Sequence, residues 1–222
     1  MSEQLRDCLS QWGLPKAIRV DNGDPWATRS DLPSALALWL VGLNVKVILN
    51  RPHQSTDNGI VERTHGVLAN WLEPHRAHTV ADLQAQLDWA IAMQRNRYPV
   101  RHGQSRLQAY PDLCQNPRPY SRSQEPELWQ LERVDTWLSQ AVWLRRVDKV
   151  GRISFFSIAY SIGRAYAGHD VLIHFDRHQR EWVIETEQGY MLKRFDAQQI
   201  TPERICHFDL AKRANSLSHP SS

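Results

Sequence analysis

Cysteine is scarce in this sequence: three residues, Cys8, Cys114 and Cys206, lie far apart with no paired spacing. That argues against both a zinc knuckle and a disulfide framework, and it suits a reducing compartment. The first residues, Met1 to Leu9, lack the apolar stretch a signal peptide needs. The longest apolar run, Ala35 to Leu43, is too short to cross a bilayer. The expectation is a soluble, cytoplasmic chain with no membrane partner. Charge of one sign is also modest. A net charge of +3 permits nucleic-acid binding without requiring it.

The composition that remains is that of a folded protein. At 41% hydrophobic and 23% charged residues, 222 residues can build one large domain or two small ones. Tryptophan is abundant, but its nine positions follow no repeat and read as core or domain-contact residues. Basic residues cluster twice. Arg95, Arg97, Arg101, His102 and Arg106 form one group; Arg145, Arg146, Lys149 and Arg152 form the other. Each is either a solvated face or a surface that contacts phosphate.

Periodicity changes along the chain. Residues 3–12 read as an amphipathic helix with Leu5, Leu9 and Trp12 on one side, stopped by Gly13 and Pro15. Residues 17–20 read as a short strand running into the turn Asp21-Asn22-Gly23. Ser30-Asp31-Leu32-Pro33 resembles a helix start, and Gly42 is placed to end that helix. Val45 to Leu49 is rich in β-branched residues and reads as a strand, followed by a polar loop over 51–59. A helix starts near Gly59 and ends at Pro74, and another covers 80–97 with Leu83, Leu87, Ile91 and Ala90 inward. Prolines break residues 98–127, which read as a linker with a short helical piece. From Ala141 onward the period is two, with six short strands and tight turns, the pattern of a small antiparallel barrel. The expected layout is a mixed α/β region over 1–98, a linker with short helices over 99–140, a small β-barrel over 141–200, and a short helix with a disordered tail over 201–222.

Two sequences carry chemistry. Asp21 ends a strand, and Glu62 lies one turn into a helix within Asp57-Asn58-Gly59-Ile60-Val61-Glu62-Arg63-Thr64-His65-Gly66. Attack on a phosphodiester is opposed by the phosphate's own charge. Paired divalent metals relieve this by activating the nucleophile and stabilising the leaving oxygen. Such metals take carboxylate oxygens, which strand ends and neighbouring helices can supply. Taken singly, Asp-Asn-Gly is an ordinary turn and a glutamate in a first helical turn an ordinary dipole partner.

Their combination and order resemble a known family. Gly13-Leu14-Pro15, Ile18-Arg19-Val20-Asp21-Asn22-Gly23, Asn50-Arg51-Pro52, Asn58-Gly59-Ile60-Val61-Glu62-Arg63, His65-Gly66 and Arg95-Asn96-Arg97-Tyr98-Pro99 resemble the second half of the retroviral-integrase-like, DDE-class catalytic core of bacterial insertion-element transposases. More loosely, residues 141–197 resemble the small C-terminal barrel of Mu-like transposases through Arg146-Val147-Asp148, Gly151 to Phe155, Tyr160 to Gly163, and Gly168 to Val171. The resemblance implies a partial ribonuclease-H-like core lacking its first strands, followed by a small all-β barrel. It implies that Asp21 is the second catalytic aspartate and Glu62 the catalytic glutamate, both ligands of Mg2+ or Mn2+ once the site is complete. The family's first aspartate has no counterpart here, because Asp7 lies in a helical pattern. The expectation is therefore a DNA integration or transposition protein that is inactive alone. An interrupted reading frame and a separate polypeptide carrying the missing half both remain open.

Supporting roles follow from position. Asn58 and Gly59 form the tight entry to the glutamate helix. Gly66 shares a face with Glu62 and His65 and allows close approach of DNA or another helix. Arg51, His53, Arg63 and His65 are candidate phosphate contacts, as are Arg145, Arg146, Lys149 and Arg152. No recognition helix is evident. The expected partners are DNA and a second copy or a full-length transposase. A non-catalytic DNA-binding or transposase-interacting module is the competing expectation.

Overall fold

The computed structural model describes residues 2–21, 23, 26, 31–51, 59–114, 118–208 and 210. The chain is mixed α/β and falls into two compact units. The units interleave in sequence. The first comprises residues 1–7, 15–49 and 120–222, and the second residues 8–14 and 50–119. Among the described residues no helix is long and apolar enough to cross a membrane.

The first unit is organised by a βαβ segment and a sheet. Strands β1 (Ala17–Val20) and β2 (Lys46–Leu49) pair in parallel, Val20 opposite Leu49. Helix α1 (Ser2–Trp12) precedes them, and α2 (Ala35–Gly42) lies between them in sequence. The sequence of α2 is apolar all round, and such a helix has to be buried on every side; Leu36 to Gly42 are all buried. Its N-cap is Ser34, whose hydroxyl accepts the Ala37 N–H at 3.1 Å, so the cap lies just past Pro33 and not at Ser30 or Asp31. At the other end Gly42 is still helical, and the left-handed residue that breaks the helix is Asn44 (φ 58°). Gly42 serves packing instead. A Cβ there would lie 2.1 Å from the Trp129 indole nitrogen. That indole donates to the Trp39 carbonyl at 3.1 Å, while the Gly42 carbonyl accepts from Arg133 at 2.8 Å.

The C-terminal strands alternate as expected, but they do not close. Strands β5 (Val142–Arg146), β8 (Asp170–Asp176), β9 (Glu181–Thr186) and β10 (Met191–Asp196) form an antiparallel sheet in the order β10-β9-β8-β5. Strands β6 (Arg152–Phe155) and β7 (Ile158–Ser161) pair only with each other among the described residues. The expected barrel is thus corrected to an open sheet with a separate hairpin. Backbone closure is replaced by aromatic packing. Phe155 of the hairpin meets Trp143 and Trp182 of the sheet edge-to-face, at 5.4 and 4.8 Å between centroids. The hairpin is anchored at its base, where the Gly151 carbonyl accepts from both Ile162 and Gly163. A Cβ on Gly151 would stand 2.5 Å from the Gly163 carbonyl carbon, at φ +83°. Strand β7 ends at Ser161, and Gly163 (φ +127°) turns the chain into a short 3-10 turn.

Helix α7 (Leu131–Leu138) buries Val134 and Leu138, and its Asp135 pairs with Arg180 in the β8–β9 turn at 3.0 Å. Helix α6 (Glu125–Leu128) starts with Pro126 in its first turn, where a missing N–H costs nothing. Helix α8 (Pro202–Cys206) is capped by Thr201. The expected disordered tail lies almost wholly outside the described residues.

The second unit is built from helices α3 (Gly59–Trp71) and α4 (Val80–Asn96), the end of α1, a hairpin of β3 (Pro99–Arg101) and β4 (Gln104–Ser105), and the short helix α5 (Arg106–Ala109). Residues expected as a linker therefore carry structure. Pro99 opens a strand and Pro111 opens a 3-10 turn, both positions that need no N–H donor. A capping box formed by Thr79 and Asp82 starts α4. The inward face of α4 agrees with the expected one at Ala90, with Leu83 and Leu87 part-buried, and departs from it at Ile91. Ala90 and Gln94 are buried, whereas Ile91 is 39% exposed. Trp71 packs edge-to-face on Trp89 and Tyr98.

Candidate functional site

Asp21 directly follows β1, at the carboxyl end of the parallel pair, where open α/β sheets place reactive groups. Its side chain is exposed and folds back to accept the Gly23 N–H at 3.3 Å, a local turn. Glu62 lies in the first turn of α3 and is exposed. Arg63, His65 and Gly66 are exposed too, and nothing lies within 4 Å of a Cβ built on Gly59 or Gly66. Among the described residues nothing covers the Glu62–His65–Gly66 face. Arg51 is exposed immediately after the buried Asn50. His53 and Asn58 lie outside the described residues.

Asp21 belongs to the first unit and Glu62 to the second. Among the described residues no three of His, Cys, Asp and Glu gather as a metal-holding group. A two-metal phosphoryl-transfer site needs several oxygen donors around both ions. Two exposed carboxylates do not supply that set, so no catalytic step through a metal follows from these residues.

The basic clusters differ in availability. Arg145 is clamped on Asp31, at 2.6 and 3.1 Å, and Arg146 lies 3.5 Å from Asp170. Lys149 and Arg152 are exposed. In the second unit Arg95 lies over the Trp12 ring at 3.9 Å. Among the described residues no carboxylate pairs with Arg63, Arg97, Arg101 or Arg106.

One polar centre has no obvious sequence signal. Glu125, beside a proline in a stretch read as linker, is buried. It accepts Arg6 Nε and Nη2, both at 2.9 Å, Trp39 Nε1 at 3.0 Å, and the Tyr120 hydroxyl. Arg6 also lies over Trp39 and Phe208 and donates to the Cys206 carbonyl. Burial pushes the Glu125 carboxyl up, but the bonds from Arg6, Tyr120 and Trp39 outweigh it and hold the group below the usual glutamate range. Burial raises the Tyr120 hydroxyl, and the bond to Glu125 raises it further. Burial, with help from the Glu125 charge, pushes the Cys206 thiol up to about 11. Cys8 and Cys206 are both free. With both Glu125 oxygens bonded to protein donors, this centre ties α1, α2, α6 and α8 together. No known protein-family model matches this chain.

Proposed function

We propose that the chain derives from a DDE-class transposase with a ribonuclease-H-like core, that Asp21 and Glu62 are its second and third acidic positions, and that alone it binds DNA without transferring strands. The observation that carries the reading is positional. An aspartate follows the first strand of a parallel βαβ pair, and a glutamate stands one turn into the helix after the second strand. The sequence order around both matches the insertion-element pattern. Among the described residues no further carboxylate joins these two, which is the reason for the proposed inactivity.

The test is titration of Mn2+ into the purified chain, with Asp21→Asn and Glu62→Gln beside it. Heat that disappears in both variants supports the assignment, and Mg2+ or Mn2+ is then the metal a completed site would hold. Absent binding, or binding indifferent to both substitutions, overturns it. Metal-dependent strand transfer by the isolated chain would overturn the claim of inactivity. The second reading, a non-catalytic DNA-binding or transposase-interacting module, is favoured by the uncommitted arginines of the second unit. It would survive failure of the metal titration.

A further inference from the structure

The second unit contains a cleft of about 850 Å³ between α3, α4 and the hairpin with α5. Arg63 enters it from α3 and Arg106 from the start of α5. Tyr98 and Tyr110 line it, with 38% and 49% of their surface exposed. At its wall stands Gln94, 6% exposed. Among the described residues Gln94 makes no side-chain hydrogen bond, and neither guanidinium has a carboxylate. Its carboxamide donors and acceptor are therefore unused by the protein and can serve a group that enters the cleft.

We propose that this cleft holds an unpaired stretch of a DNA strand, one or two nucleotides at a time. The two guanidiniums supply donors in the planar geometry that phosphate oxygens accept. The tyrosines offer ring surface for bases, and the Gln94 amide offers the paired donor and acceptor that a base edge presents in return. The volume is that of a small-ligand site and excludes a duplex. The assignment to DNA rests on the reading of the chain as transposase-derived. The cleft itself involves neither Asp21 nor Glu62.

Anisotropy titrations of the full chain with labelled oligo-dT, in EDTA, test this separately from the metal assignment. Oligo-dT should bind more tightly than a hairpin duplex of equal charge. Arg63→Glu and Arg106→Glu should each weaken it at least tenfold, and neutralising both positions should flatten the salt dependence by roughly 1.4 in log–log slope. Tyr110→Ala should cost about fivefold or more. Arg177→Glu, an exposed arginine in the β8–β9 turn, should leave binding within twofold. Equal losses at Arg177, preference for the duplex, stronger binding of oligo-U, or equal binding of thymidine monophosphate would each overturn the proposal. Circular dichroism of each variant ensures that a loss is not unfolding.

Discussion

The two units differ in how many of their arginines are paired with carboxylates. In the first, Arg6, Arg122, Arg145, Arg146, Arg180 and Arg194 are all paired with carboxylates. Two of those carboxylates, Glu125 and Asp135, are buried. In the second, Arg76 pairs with Glu73 at 2.8 Å, whereas Arg63, Arg97, Arg101 and Arg106 are left without carboxylates among the described residues. The cores differ in the same sense. The first unit buries Trp39, Trp182, Phe155, Leu138 and Ile173 almost completely, whereas the fully enclosed position on α4 is only Ala90. Similar residues thus tie elements together where a carboxylate and a large core are near, and stay at least part-exposed where they are not.

The largest effect is expected at the Glu125 centre. Arg6→Ala leaves a buried carboxylate without its cation and should cost about 3–5 kcal/mol in urea denaturation. Its replacement in the second unit, Arg106→Ala, should stay within about 0.5 kcal/mol. Next comes Gly42→Ala, which drives a methyl into Trp129 and should cost about 1–3 kcal/mol. A third expectation concerns pH. Glu125 has a depressed folded pKa, so its contribution is fully present above the unfolded value of about 4.3 and is lost as pH falls through the folded value. Asp135 opposes this weakly, since burial raises its pKa. Urea midpoints measured through that acid range should fall less steeply in Glu125→Gln than in the native chain. The smallest effect is chemical. Iodoacetamide with peptide mapping should label exposed Cys8 of the second unit first. Cys206, held as thiol by burial and by Glu125, should react only after Arg6→Ala opens the centre. Equal labelling of both cysteines in the native chain would show that the centre does not shield its surroundings.

Much of the local structure was legible because its causes are local. Gly13 and Pro15 stop α1, Thr79 and Asp82 start α4, and β-branched alternation marks the C-terminal strands. Asp21 and Glu62 stood out for the same reason, each beside a turn or helix start that the sequence spells out. The cleft was half legible. Arg106 belonged to a visible basic cluster, but nothing in the sequence places Gln94 inward ahead of Ile91. That choice depends on which face of α4 meets the hairpin.

The sequence by itself determined the ends of α1 and α4, the strand period and the acidic motifs, because caps, breakers and alternation act within a few residues, while both ends of α2 fell elsewhere than expected. Only the tertiary structure decided which arginines are used up, since Arg6 meets Glu125 across 119 positions and Arg145 meets Asp31 across 114. It also decided that the last strands form an open sheet with a hairpin laid on it. Strand pairing depends on which backbone edges meet, and side-chain alternation, the same in a sheet and in a barrel, carries no record of that.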